Sequence, residues 1–330
     1  MLIDCHVHII GDGSSGSGSW LKLSGHRSLH ARYMLRSLGL PQTLVKGGLD
    51  GAYLEMLLGL IRNSSLDRAL ILAHEEPYND NGSKIHGASP LYVPNDYVLA
   101  ISEKHPELLP AVSIHPARGD ALDQLQRCIE TGAVAMKCLP SVQNINCNDK
   151  KYKKFWELMA TSGLILLAHT GGELSLPVIN PDYASPAVLQ LPLECGVVTI
   201  AAHTGTSSLF DPNYIEVFEK MIAQFPNLYG DISGLCTPFR SRHFRRLLDL
   251  QERLVHGSDL PIPTEPIWSW MRGLIDRKSY RELREIVNPL ERDYQTKRAL
   301  GFNDQVFERV SKLGRIASTS QNSSSPGDLL

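Results

Sequence analysis

The chain has 330 residues, 42% hydrophobic and 21% charged, with a formal net charge of −2. That length holds one large domain, such as an α/β barrel, or two ordinary ones, and the composition supports a sizeable core. Near-neutral charge gives no electrostatic reason to expect nucleic acid or an anionic membrane as a partner, and no run approaches the roughly 18 apolar residues of a spanning helix.

The first predicted strand, residues 2–5, leads straight into His6-Val7-His8. No basic segment or apolar stretch of signal-peptide length precedes it. Cys5, Cys128, Cys138, Cys147, Cys195 and Cys236 show no CxxC spacing and read as reduced thiols in a cytoplasmic protein. A long gap follows the first strand. It opens on the Gly/Ser-rich residues 11–19 and turns helical over 30–38 and 49–62. Because it leaves the strand end that carries His6 and His8, it is expected over the active face, as a lid or as a flexible excursion. The second strand is predicted at 69–73 and is followed by an irregular insert, 75–94. Further strands are predicted at 109–114, 134–136, 164–168, 197–202, 228–230 and 254–256, recurring about every 30 residues. Helical stretches at 120–130, 151–161, 185–193 and 212–224 lie between them, with Asn95, Asp120 and Asp149 as caps and Gly132 and Gly163 as stops. Eight βα units favour a (β/α)8 barrel over an open sheet, and no glycine-rich dinucleotide fingerprint follows the first strand. The barrel is expected over residues 1–315, with 316–330, Ser-rich from Ser318, as a disordered tail.

Polar residues end these apolar runs. In a strand, side chains at i and i+2 point the same way, so His6 and His8 can grip one ion. Lys137, His169, His203 and Asp259 each stand at or just past a later strand, and a closed parallel barrel brings such ends to one rim. His6, His8, His169 and Asp259 supply three nitrogens and a carboxylate, which suits Zn²⁺ first and also Mn²⁺ or Fe²⁺. Such an ion brings the pKa of its water toward roughly 7, giving hydroxide at neutral pH. Asp259 is the residue type to accept that proton and pass it to a leaving group. His203 is expected to polarise the reacting oxygen or to steady the developing charge. His74 and His115 follow the second and third strands, and His115 reads as a site residue or as part of a turn. Asp231-Ile232-Ser233 follows the seventh strand and reads as orienting a ligand or touching substrate. Arg240 and Arg242 offer forked guanidinium groups for an acidic substrate, whereas Arg245 and Arg246 read as a solvated helix face. Trp268 and Trp270 either line the pocket or pack a helix.

Asp-Cys-His-Val-His, Met-Lys-Cys-Leu-Pro, Leu-Leu-Ala-His-Thr-Gly-Gly, Ala-Ala-His-Thr-Gly-Thr and His-Gly-Ser-Asp-Leu-Pro occur in that order. Together they resemble the signatures of the amidohydrolase superfamily. The nearest branch holds aminocarboxymuconate semialdehyde decarboxylase, benzoate-type decarboxylases and several lactonases. The resemblance implies a distorted (β/α)8 TIM barrel with a long insert after strand 1, extra C-terminal helices and a closing helix over 303–312. It also implies metal ligation by His6, His8, His169 and Asp259, with His203 as the catalytic histidine. Lys137 leaves two arrangements open. In dihydroorotase-like relatives a carboxylated lysine here bridges two ions, with His203 then a ligand. In the decarboxylase branch a lysine here binds no metal and is free to face a substrate carboxylate.

The expected activity is divalent-metal hydrolysis of a small ester, lactone or amide that carries a carboxylate. The alternative is a non-oxidative decarboxylase or hydratase of an unsaturated or aromatic acid on the same scaffold. A catalytically silent barrel is a third reading, against which the full ligand set argues. The expected partner is a small-molecule substrate, and a homodimer stays open.

Overall fold

The computed structural model describes residues 1–22, 26–209 and 211–322. Eight parallel strands form one sheet in chain order: β1 (Ile3–His8), β2 (Arg68–Leu72), β3 (Leu108–Val112), β4 (Ala135–Cys138), β5 (Ile165–His169), β6 (Thr199–Ala202), β7 (Leu228–Asp231) and β8 (Leu254–Val255). They are short, buried on both faces and separated by helices, as parallel strands under helical cover must be. The expected (β/α)8 barrel is the observed one. β8 has only two residues, and the irregular chain beyond it closes the ring. Cys5 N donates to His256 O (3.0 Å), Asp259 N to His6 O (2.9 Å) and His8 N to Leu260 O (2.8 Å). The closing seam therefore places Asp259 beside the histidine pair.

Alternation along the strands sorts lumen from exterior. Leu70 and Leu72, Leu109 and Ala111, Ile165 and Leu167 belong to an apolar cluster with Ile3 and Cys5 of β1. If β1 kept strict alternation, Val7 would follow Ile3 and Cys5 inward and both histidines would face out. Instead its pairing with β2 slips between Asp4 and Val7. This bulge reverses the alternation: Val7 packs outside, against the helical layer with Leu57 and Ile61, and His6 and His8 turn in.

The opposite end of the lumen is stopped by Val310, Leu313 and Ile316. Asp304–Glu308 is helical, Asn303 caps it through Val306 N (3.2 Å), and a 3-10 turn, Arg309–Lys312, completes the expected closing helix. The boundary expected at residue 315 lies too early, because Ile316 is fully buried and helix Gly314–Asn322 continues past it. The rest of the expected tail, 323–330, lies outside the described residues.

The insert after β1 carries helix His26–Ser37, a 3-10 turn at Gln42–Lys46 and helix Leu49–Arg62. Its Gly/Ser-rich start is wrapped around a buried carboxylate instead of standing free. Asp50 accepts from Asp12 N (2.6 Å), Gly13 N (3.1 Å), Ser15 N (3.0 Å) and Ser15 Oγ (2.7 Å). Asp12 returns the favour by accepting from Leu49 N (3.2 Å), an otherwise unpaired donor of the helix's first turn. Gly11 is required at the entry: a Cβ there would lie 2.5 Å from Asp50 Oδ1. A two-residue ribbon, Trp20–Leu21 with Leu91–Tyr92, joins this insert to the one after β2. All six cysteines are free thiols. Among the described residues, no helix is long and apolar enough to cross a membrane.

Candidate metal centre

Each inward series ends in a polar residue at the same mouth of the barrel. Ile165 and Leu167 lead to His169, Ala135 to Lys137, and Tyr229 to Asp231. His203, Thr204 and Asp259 adopt positive φ (60°, 55° and 72°), a conformation that costs a non-glycine residue about 1–2 kcal/mol. The strain is held by specific bonds. His203 N donates to Asp231 Oδ1 (2.7 Å), Thr204 Oγ1 donates to Asp231 O (2.6 Å), and the Asp259 amide is fixed on β1.

His6 Nε2 and His8 Nε2 stand 3.4 and 3.3 Å from Asp259 Oδ1, and His203 Nε2 stands 4.0 Å from Asp259 Oδ2. One donor atom from each of His6, His8 and Asp259 lies within 4.8 Å of the other two. The His169 ring is 4.9 Å from that of His203, and His203 is 5.1 Å from His6. Lys137 Nζ is 3.0 Å from His6 Nε2. The expected residues therefore converge.

Their tautomers follow from their outer partners. His6 Nδ1 faces the Asp231 carboxylate at 2.8 Å, so that nitrogen bears the proton and Nε2 presents a lone pair inward. His203 Nδ1 faces the Ser233 carbonyl (3.2 Å), which only accepts, and the Ser233 hydroxyl (2.8 Å). Its Nε2 is therefore also a lone pair. In this neutral tautomer the His203 ring accepts at Nε2. It is arranged to bind a cation or to take a proton.

Burial, then Lys137, pulls His6 down to about 4. Burial also drives His169 and His203 well below their ordinary value, with help from Lys137 and Arg240 respectively. Burial alone would raise the Asp259 carboxyl, but His6, His8 and Arg240 outweigh it and hold it below the usual carboxylate range. His6, His169 and His203 thus offer neutral imidazoles and Asp259 an ionised carboxylate, the forms that bind a divalent cation. His169 Nε2 is buried with no hydrogen-bond partner, its acidic neighbour Glu173 Oε2 lying 3.6 Å away. An orphaned ring nitrogen beside this donor set fits a cation.

Above the donors opens a cavity of about 440 Å³ whose lining includes His8, His169, His203, Asp259 and Arg240. Arg240 uses three of its five N–H groups on Thr206 O (2.9 Å), Thr206 Oγ1 (2.6 Å) and Gly172 O (2.9 Å), leaving two for an anion. Arg242 is not brought to the site. It donates to Ser207 Oγ (2.7 Å) and Leu209 O (3.2 Å), away from the cavity lining. His115 is not brought there either. Its Nε2 is 2.9 Å from Gln143 O and its Nδ1 accepts from Ala117 N (3.1 Å), so both nitrogens tie loops together. Trp268 lines the cavity, whereas Trp270 stacks on Tyr280. Sequence reading missed Glu173, whose one signal is its position four residues after His169. Burial raises its carboxyl even though Ser175 N and Leu176 N donate to it.

A family model described as Amidohydrolase matches residues 3–288. No curated protein matches the chain in sequence. Among solved structures, a proposed 2-pyrone-4,6-dicarboxylic acid hydrolase from Pseudomonas putida is 16% identical. The match covers 98% of each chain at a TM-score of 0.54. A proposed amidohydrolase from Staphylococcus aureus is 12% identical over 93% of this chain and 95% of its own, at 0.52. The IDCase of Metarhizium anisopliae in apo form is 13% identical over 94% and 97%, at 0.48. At such identities the two likenesses above 0.5 speak for the barrel alone.

Proposed function

The chain belongs to the amidohydrolase family, and on that premise we propose that it is a divalent-metal-dependent hydrolase of a small ester, lactone or amide bearing a carboxylate. The observation that carries this reading is the convergence of His6, His8 and Asp259 beneath a cavity that His8 and Asp259 line, with His169 Nε2 unpartnered beside them. His6, His8, His169 and Asp259 would hold the ion, with Zn²⁺ the first choice. When bound, such a cation acidifies water toward a pKa of roughly 7 and polarises a carbonyl. Asp259, kept ionised, takes the proton of the attacking water on a carboxylate oxygen and returns it to the leaving oxygen or nitrogen. The two N–H groups of Arg240 that remain unused hold the substrate carboxylate and fix the scissile bond over the floor. Lys137 supports the two-ion variant. It is fully buried, burial lowers its pKa, and among the described residues no acid lies within ion-pair distance of it.

The test is metal analysis after gentle purification, followed by assays on panels of lactones, carboxyl esters and aromatic or dienoic acids. At least one equivalent of divalent metal and water-consuming turnover are expected. CO₂ release without net addition of water would overturn the hydrolase assignment. Asp259→Asn is expected to cut turnover at least a thousandfold with the circular dichroism spectrum unchanged. Near-native rates would remove Asp259 from proton transfer.

A further inference from the structure

Beside the main cavity, beneath helix His26–Ser37, lies a smaller one of about 100 Å³. Ile10, Met34, Leu91 and Leu176 line both. Beyond them the small cavity ends on Leu35, Leu38, Leu49 and Tyr53, of which Leu49 and Tyr53 are essentially inaccessible. His30 and Ser175 supply its polar lining, and among the described residues no Asp, Glu, Lys or Arg lines it. The hydroxyl of Tyr53 is already committed, donating to His8 O at 2.8 Å, so the ring presents carbon. A pocket of this lining holds water poorly and gains by being filled with hydrocarbon. The mouth of the main cavity is apolar too: Tyr33 and Leu174, each 59% exposed, contribute to its wall. The charged groups of the main cavity, by contrast, include Arg240, Asp259 and Glu173 close to the histidines. One continuous wall therefore runs from a charged floor to a mostly apolar recess.

We propose that the recess under helix His26–Ser37 is a subsite for an aliphatic tail, so that the substrate is an amphiphile: a carboxylate or ester head at the donor floor and a hydrocarbon chain past Met34 and Leu176. Which end reacts rests on the functional reading above; the tail subsite does not. The unbranched Met34 side chain is suited to gating such a passage, since it repacks at little cost around chains of different length. Each methylene that enters the recess is expected to improve binding about three- to fourfold, until the recess is full.

The probes are n-alkanoates of four to ten carbons, titrated calorimetrically against the purified protein; they are not hydrolysable. The expected result is a dissociation constant that falls about three- to fourfold per methylene and then levels off. In Met34→Trp, which fills the passage, the gain should disappear at a shorter chain length. Leu176→Trp, entering from the opposite wall, should do the same, so one misfolded variant does not decide the matter. A dissociation constant indifferent to chain length, or a series unchanged in both variants, overturns the subsite. Because no turnover is read, these outcomes are separate from any failure of the hydrolase assignment.

Discussion

Asp231 commits both carboxylate oxygens to orienting its neighbours. Oδ2 meets His6 Nδ1, while Oδ1 accepts from the amides of His203 (2.7 Å) and Ser233 (3.0 Å). Burial would raise this carboxyl, but His6 and His203 outweigh it and keep it ionised, below the usual range. A single acid thus sets the tautomer of one candidate ligand and anchors the backbone of another. Gly257 has an equally narrow task, since a Cβ there would sit 2.8 Å from His6 Cβ and 3.3 Å from Cys5 Sγ. Both obstacles are short side chains on the strand that closes the barrel, so the histidine must shift. Gly257→Ala is expected to cost about 1–3 kcal/mol of stability by overpacking and to lower metal content at least tenfold. A variant that retains metal as the wild type does would show slack in the seam. At this scale the site was largely legible, because histidines and an aspartate at strand ends have few structural uses in common. His115, just past a strand, and Arg242, in the 3-10 turn Arg240–His243, were read as site residues from type and order alone, but their donors and acceptors are taken up by loop carbonyls, an amide and a hydroxyl, which no single sequence reveals.

β1 shows where pattern reading stops. Period-two alternation makes Ile3, Cys5 and Val7 one face and His6 and His8 the other, and nothing in the residues says that the faces exchange midway. The slip depends on pairing with β2, which begins 65 positions after β1 does. The later strands were read closely because both their faces are buried, so each is a continuous apolar run. The helices of the insert lie where expected, and only its opening differs, for a related reason. Residues 11–19 look flexible by composition, and their organiser, Asp50, lies more than 30 positions onward. Asp50→Ala removes the acceptor for three amides and a hydroxyl. Bonds to a charged acceptor are each worth roughly 1.5–3 kcal/mol, so a loss of about 3 kcal/mol is expected, together with protease cleavage inside 11–19. Burial raises the Asp50 carboxyl, but Ser15 and Ser17 outweigh it and bring it to about 2. A depressed carboxylate contributes in full above its ordinary value near 4 and is lost only as pH falls through about 2. The wild-type loop should therefore stay protease-resistant at pH 4, and cleavage there at the rate of Asp50→Ala would refute the wrapping role.

Acid sensitivity belongs to the whole barrel, because its buried bases join units distant in sequence. His115 follows β3, and its ring bonds the carbonyl of Gln143 beyond β4 and the amide of Ala117 in its own loop. The amide must donate, so Nδ1 is the unprotonated nitrogen, and protonating it breaks the bond to Ala117 that holds the ring in its loop, where Nε2 reaches Gln143. Burial brings this histidine down to about 4, against an unfolded value of 6.5. A folded pKa below the unfolded one means that the unfolded chain takes up the proton first. The contribution is therefore complete above pH 6.5 and is lost as pH falls toward 4, at up to about 1.4 kcal/mol per pH unit. His115→Gln keeps a side chain able to donate and accept but removes the titration. Thermal midpoints recorded from pH 7 to pH 4.5 on protein stripped of metal should fall more steeply for the wild type than for the variant, with the curves diverging below pH 6.5. Parallel curves would mean that this ring does not couple the barrel's loops to pH.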